Sequence, residues 1–85
     1  MNTEPAESEH WSTIREVWVA HLGAATARSD VDFFEAGGNS LLAASMMGRL
    51  SEQFDRPLPM RLLARNPTLA GLSEAVEAAL TEGDS

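Results

Sequence analysis

The stretch Asp32–Leu42 reads D-F-F-E-A-G-G-N-S-L-L, and the chain changes character inside it. Two aromatic residues run into a double glycine, Asn39 and Ser40 follow, and then S-L-L-A-A-S-M-M-G-R-L-S-E-Q-F begins. In that run Leu42, Met46, Leu50 and Phe54 recur at an unbroken i, i+4 spacing with Met47 beside them. Such spacing puts apolar side chains on one face of a helix, so a helix is expected from Ser40 to about Phe54. Serine is a favoured first residue of a helix because its oxygen can accept a free backbone N–H. By itself, then, Ser40 reads as a cap after a loop, or as a hydroxyl displayed for chemistry.

Working outward, E-H-W-S-T-I-R-E-V-W-V-A-H-L places Trp11, Ile14, Trp18 and Leu22 at i, i+3, i+7 and i+11, with Val17 beside them. A helix is expected from Ser8, as N-cap, to Leu22, with Gly23 stopping it. Residues 23–39 then form a long connection rich in turn formers, yet Val31, Phe33 and Phe34 are not surface-loop residues. At least one of the two Phe is expected to enter the core and pin the loop. Downstream of the second helix, two prolines bracket Leu58 and hold it extended. M-R-L-L-A-R-N leaves room for about a turn and a half of helix before Pro67. In the last segment Thr68 is the expected N-cap, and Leu69, Leu72, Val76, Ala79 and Leu80 share one face. The reading is an all-α, four-helix bundle of three longer helices and one short one, with a long first loop. A folded domain is expected at 8–80, with solvated tails at 1–7 and 81–85.

Composition narrows the chemistry. The 85 residues allow one small domain, and there are no cysteines, so neither a disulfide framework nor a thiolate metal site is available. Ten Leu, three Phe, two Trp, four Val and one Ile supply the core. Thirteen acids face six Arg for a net charge of −7, which disfavours nucleic-acid binding and favours partners with basic surfaces. No run of about eighteen apolar residues and no signal peptide is present, so the expected location is cytoplasmic, with no membrane partner. Nothing signals oligomerisation, and a monomer is expected.

The motifs for catalysis fail one by one. His10 and His21 lie apart on the first helix with no third ligand at metal spacing, and read as surface or boundary residues. Asp30, Asp32 and Glu35 suggest a calcium loop, but Phe34 stands where an oxygen ligand is needed and Glu35 where the turn glycine belongs. G-G-N-S follows no strand and lacks dinucleotide spacing. G-N-S-L-L lacks the second glycine of a nucleophile elbow, and no enclosing triad can be built in a domain this small. The chain is not expected to be an enzyme by itself. Ser40 keeps three features of its own. Gly37 and Gly38 leave the backbone open to approach by another protein. A helix start offers free N–H groups and a positive dipole end, which suits a phosphate ester. Leu41 falls off the apolar stripe, where an exposed Leu beside an exposed hydroxyl suits docking.

These residues resemble a known family. D-F-F-E-A-G-G-N-S-L-L is similar to the D-x-F-F-x-x-G-G-[HND]-S-L signature of the peptidyl carrier (thiolation) domains of non-ribosomal peptide synthesis, within the acyl-carrier-protein-like superfamily. I-R-E-V-W from Ile14, L-P-M-R-L-L from Leu58 and N-P-T-L-A-G-L from Asn66 extend the likeness over about residues 11–80. The resemblance implies the acyl-carrier-protein-like four-helix fold. It implies that Ser40, flanked by Gly37, Gly38, Asn39 and Leu41, takes a 4′-phosphopantetheine arm from coenzyme A through a separate phosphopantetheinyl transferase. The arm's thiol would hold aminoacyl or peptidyl groups as thioesters for an adenylation enzyme and for condensation, tailoring or thioesterase enzymes. Fatty-acid and polyketide carriers usually read D-S-L where this chain has Asn39-Ser40-Leu41, which favours the amino-acid branch. A polyketide-type acyl carrier and a non-enzymatic helical adaptor are the alternatives. Expected partner contacts are Leu41, Ala44, Met47 and Gly48 on the second helix, with Met60 and Arg61 near the short one. Met47 is open between core edge and contact. Ser45, Met46 and Met47 stand where members often have Arg then Leu-Val, and Ala64 and Arg65 where Phe-Glu is common. A free-standing carrier is expected over an excised domain.

Overall fold

The computed structural model describes residues 9–82, which form helices α1 (Glu9–Leu22), α2 (Ser40–Phe54), α3 (Met60–Arg65) and α4 (Leu69–Glu82). Helix α1 packs on α2 and α4, α2 on α3, and α3 on α4, so one apolar interior is shared by all four. Among the described residues there is no strand, only an isolated antiparallel bridge between Asp32 and Thr68. The expected Ser8 cap, the 1–7 tail and residues 83–85 lie outside the described residues. Thr81 and Glu82, expected in the tail, continue α4 instead. The Thr81 hydroxyl donates to the Glu77 carbonyl (2.9 Å), one turn back.

The apolar periodicities become the core. Trp11, Ile14, Val17 and Trp18 of α1 are buried against Leu69, Leu72 and Val76 of α4 and the inner face of α2. On α2 that face is rotated from the expected stripe: Ala43, Met46, Met47 and Leu50 are buried, while Leu42 and Phe54 are only partly covered. Helix α2 is flanked by neighbours on two sides, so its buried face is broader than one i, i+4 row. Met47, at 2% exposure, is therefore a core residue and not surface available to a partner, which corrects the contact expected there.

The segments between helices are held by specific bonds. Helix α2 stops at Asp55, which takes the left-handed conformation (φ 55°) that Asp tolerates better than most side chains. The Ser51 hydroxyl donates to the Met47 carbonyl (2.9 Å) and accepts the N–H of Leu58 (2.9 Å), seating Leu58 in the core between its prolines. Helix α3 ends at Asn66, whose amide donates to the Leu62 carbonyl (3.0 Å). Thr68 caps α4 as expected, its hydroxyl oxygen accepting from the Gly71 N–H (3.0 Å). The long first loop opens with a 3₁₀ turn, Ala24–Thr26, where the Trp18 indole N–H donates to the Thr26 hydroxyl (3.0 Å).

Candidate functional site

Asp32 organises the turn that leads to Ser40. Its carboxylate oxygen Oδ1 accepts from the backbone N–H of Phe34 (2.8 Å) and Glu35 (3.1 Å), and its carbonyl accepts from Ala36 (2.9 Å). An Asp side chain that closes its own turn in this way is spending its charge on backbone donors. Phe33 is the residue that anchors the loop. It is fully buried, edge-on to Trp18 at 5.6 Å and to Phe34 at 5.1 Å, while Phe34 itself stays exposed. Main-chain bonds tie the loop to the start of α4: Phe33 N–H to the Pro67 carbonyl (2.8 Å) and Ala70 N–H to the Ser29 carbonyl (3.1 Å).

The two glycines have different jobs. Gly37 adopts φ +111°, a conformation that strains any side chain, with open space where a Cβ would point. Gly38 has an ordinary φ, but a Cβ there would overlap the Phe33 ring and come within 2.7 Å of the Phe33 carbonyl. Its N–H donates to that same carbonyl (2.9 Å). Gly38 therefore admits Phe33 from inside the molecule. That corrects the expectation that both glycines clear space for another protein; only Gly37 faces open space.

Asn39, not Ser40, caps α2. Asn39 is extended (φ −145°, ψ −179°), its Oδ1 accepts from the Leu42 N–H (2.9 Å), and its carbonyl receives the Ala43 N–H (2.8 Å). Ser40 is the first helical residue, exposed, and its hydroxyl makes no hydrogen bond with any described residue. The N–H groups of Ser40 and Leu41 are left without an intrahelical acceptor, as the first turn of every helix requires. The site thus offers a free hydroxyl, two free backbone donors and the positive end of a fifteen-residue helix. That arrangement suits an oxygen-linked, negatively charged group.

Exposed residues follow Ser40 along α2. Leu41 is 80% exposed, and Ala44 and Gly48 follow it at i+3 and i+7, both exposed. From α3, Met60 (41% exposed) and Arg61 are also on the surface. The two histidines make no hydrogen bond to Ser40. The His10 Nδ1 meets Glu77 Oε2 (2.7 Å) and its ring stands edge-on to Phe54, joining α1 to α4. His21 is placed by contacts that the sequence reading missed: Nδ1 lies 2.8 Å from the Val17 carbonyl and Nε2 2.9 Å from the Ser45 hydroxyl. The Ser45 partner is 24 residues away on another helix, so no local spacing could have indicated it. Among the described residues, no three His, Cys, Asp or Glu side chains converge on a point that could hold a metal ion.

Comparison with known proteins places the chain in a family. Residues 12–76, which hold the whole Asp32–Leu42 stretch, match the family model described as a phosphopantetheine attachment site. The chain belongs to the phosphopantetheine attachment-site family. It is 42% identical over 81 residues to the phosphinothricin tripeptide synthetase PhsB of Streptomyces viridochromogenes, covering 95% of this chain and 6% of that one. It is 38% identical over 79 residues to the pyochelin synthetase PchE of Pseudomonas aeruginosa strain UCBPP-PA14, covering 93% of this chain and 5% of that one. It therefore spans about one-twentieth of the curated relatives it matches. Among solved structures it superposes with a TM-score of 0.77 on BlmI, a type-II acyl carrier protein from Streptomyces verticillus involved in bleomycin biosynthesis. Identity there is 32%, over 84% of this chain and 86% of BlmI.

The chain is thus a phosphopantetheine carrier protein with the acyl-carrier-protein-like four-helix fold, and its cofactor is covalently attached 4′-phosphopantetheine. The family is one of carrier domains defined by their phosphopantetheine attachment site. No helix among the described residues is long and apolar enough to cross a membrane.

Proposed function

We propose that Ser40 carries the phosphopantetheine arm and that this carrier serves non-ribosomal peptide or related natural-product biosynthesis, tethering aminoacyl or peptidyl groups for partner enzymes. The observation that supports this reading most directly is the division of labour at the start of α2. Asn39 satisfies the helix end, so the Ser40 hydroxyl has no structural task and stands exposed. In the reaction, the Ser40 oxygen forms a bond to the β-phosphorus of coenzyme A while the pyrophosphate bond breaks. Adenosine 3′,5′-bisphosphate leaves, and the hydroxyl proton passes to a base of the phosphopantetheinyl transferase. The free N–H groups of Ser40 and Leu41 and the helix dipole stabilise the resulting phosphodiester. The arm, when attached, supplies the thiol that holds the acyl group as a thioester. With no Cys in the chain, no protein thiol competes for it.

The test is intact mass after incubation with coenzyme A and a broad-specificity transferase. One pantetheine adduct on the wild-type chain, absent from Ser40→Ala, is the expected result. No adduct on folded wild-type protein would refute the reading.

The peptide synthetases among the relatives, and Asn39 in front of Ser40, support the amino-acid branch over a polyketide role. Loading of the holo form by an adenylation enzyme, and not by a malonyl transferase, tests that choice. Likeness to a type-II carrier over most of its length supports action as a free-standing partner of separate enzymes. A coding sequence continuous with an adenylation or condensation domain would exclude it. Leu41, Ala44, Gly48, Met60 and Arg61 are the proposed docking face; Leu41→Glu is expected to slow modification without changing helicity.

A further inference from the structure

A second feature of α2 borders that docking face and shares Leu41 with it. Leu41, Ser45, Arg49 and Glu52 sit at i, i+4, i+8 and i+11, so they form one stripe along the helix. The stripe faces the end of α1, where His21, Ser45, Arg49 and Glu52 line a cleft of about 340 Å³, in the size range of small-molecule sites. Arg49 also lines a second cleft, with Thr13, Glu16 and Gln53. Every residue named in the wall of the first cleft is polar, which is unsuited to a hydrocarbon chain.

The hydrogen bonds decide what the wall presents. The Val17 carbonyl can only accept, so the His21 Nδ1 that meets it carries the proton. In the neutral ring Nε2 is then the acceptor, and the Ser45 hydroxyl donates to it. With its proton committed, Ser45 Oγ offers the cleft lone pairs. Glu52 offers a carboxylate, and Arg49 is the donor; neither side chain makes an ion pair or hydrogen bond with any described residue. A carboxylate and a guanidinium three residues apart on one helix face match an ammonium next to a carbonyl.

We propose that this α1–α2 cleft receives the head of the tethered group: the α-ammonium of an aminoacyl thioester against Glu52, with its carbonyl against Arg49. The proposal rests on the aminoacyl reading above and names the site where that group is held. Ser45 and Glu52 stand about 7.5 and 18 Å along the helix from Ser40, so the arm must lie extended along α2 for its head to meet Glu52. Leu41 lies at the mouth of the stripe, between the attachment point and the cleft. An acyl group without an amine leaves Glu52 unpaired and gains nothing there.

The experiment loads the ¹⁵N-labelled chain with three pantetheine arms: bare, amide-linked glycyl, and amide-linked acetyl. Adduct mass is scored first, and amide shifts of His21, Ser45, Arg49 and Glu52 second. The glycyl arm is expected to move these signals and the acetyl arm to leave them as in the bare form. Glu52→Gln is expected to lower the docked population about two- to fivefold, the size of one exposed ion pair, with the fold unchanged. An adduct whose glycyl and acetyl spectra coincide overturns the cleft alone. Absence of any adduct on Ser40 overturns the cleft and the carrier assignment together.

Discussion

The two ends of helix α2 each hold a serine, and they treat it in opposite ways. Near the C-terminal end, the Ser51 hydroxyl is used twice, donating to Met47 and accepting from Leu58, and it fixes how the chain leaves the helix. At the N-terminal end Asn39 does the capping, and the Ser40 hydroxyl is used by none of the described residues. Residue type is the same; only the hydrogen-bond accounting differs. A serine whose donor and acceptor are both satisfied holds the fold together. One that the fold leaves idle at an exposed helix start is free for a partner's chemistry.

The largest test of this contrast is Ser40→Ala. It is expected to abolish pantetheine addition completely, judged by intact mass, and to leave thermal unfolding within about 0.5 kcal/mol of wild type, as for an exposed side chain without partners. A substantial loss of stability would show that Ser40 is structural after all. Next in size is Phe33→Ala, which empties a fully buried aromatic site behind the turn. A loss of about 3–5 kcal/mol by chemical denaturation is expected. The modification rate should also fall, because the turn that presents Ser40 is pinned by that ring. Ser51→Ala leaves the N–H of buried Leu58 without its acceptor, and should cost about 1–3 kcal/mol while modification proceeds at the wild-type rate. Asn39→Ala is the finest probe: loss of the cap should cost about 1 kcal/mol. If unfolding is unchanged, the cap seen on Leu42 contributes nothing and the contrast between the two ends weakens.

Much of this was legible in one dimension. Helix α2 begins and ends where its apolar spacing starts and stops, at Ser40 and Phe54. Thr68 before an apolar face was enough to mark the start of α4. The motif around Ser40 is enough to indicate the family, because a run of specified residue types at fixed spacing rarely arises by accident. Other features had no local signal. Of adjacent Phe33 and Phe34, one is fully buried and the other exposed, and their order depends on where Trp18 stands. Met47 sits one position from Met46 and turned inward because neighbours cover α2 on two sides.

What the sequence determined alone was periodic or local: four helices, their caps at Thr68 and their stop at Gly23, a long loop with an aromatic anchor, and one serine at a helix start. Those depend on contacts within a turn or two, and neighbours in the chain are neighbours in space. Only the tertiary structure decided that Gly38 exists to admit Phe33, that Asn39 relieves Ser40 of capping, and that His21 of α1 meets Ser45 of α2. Each of these turns on the position of a side chain to within about an ångström, and the packing of helices against one another sets that distance.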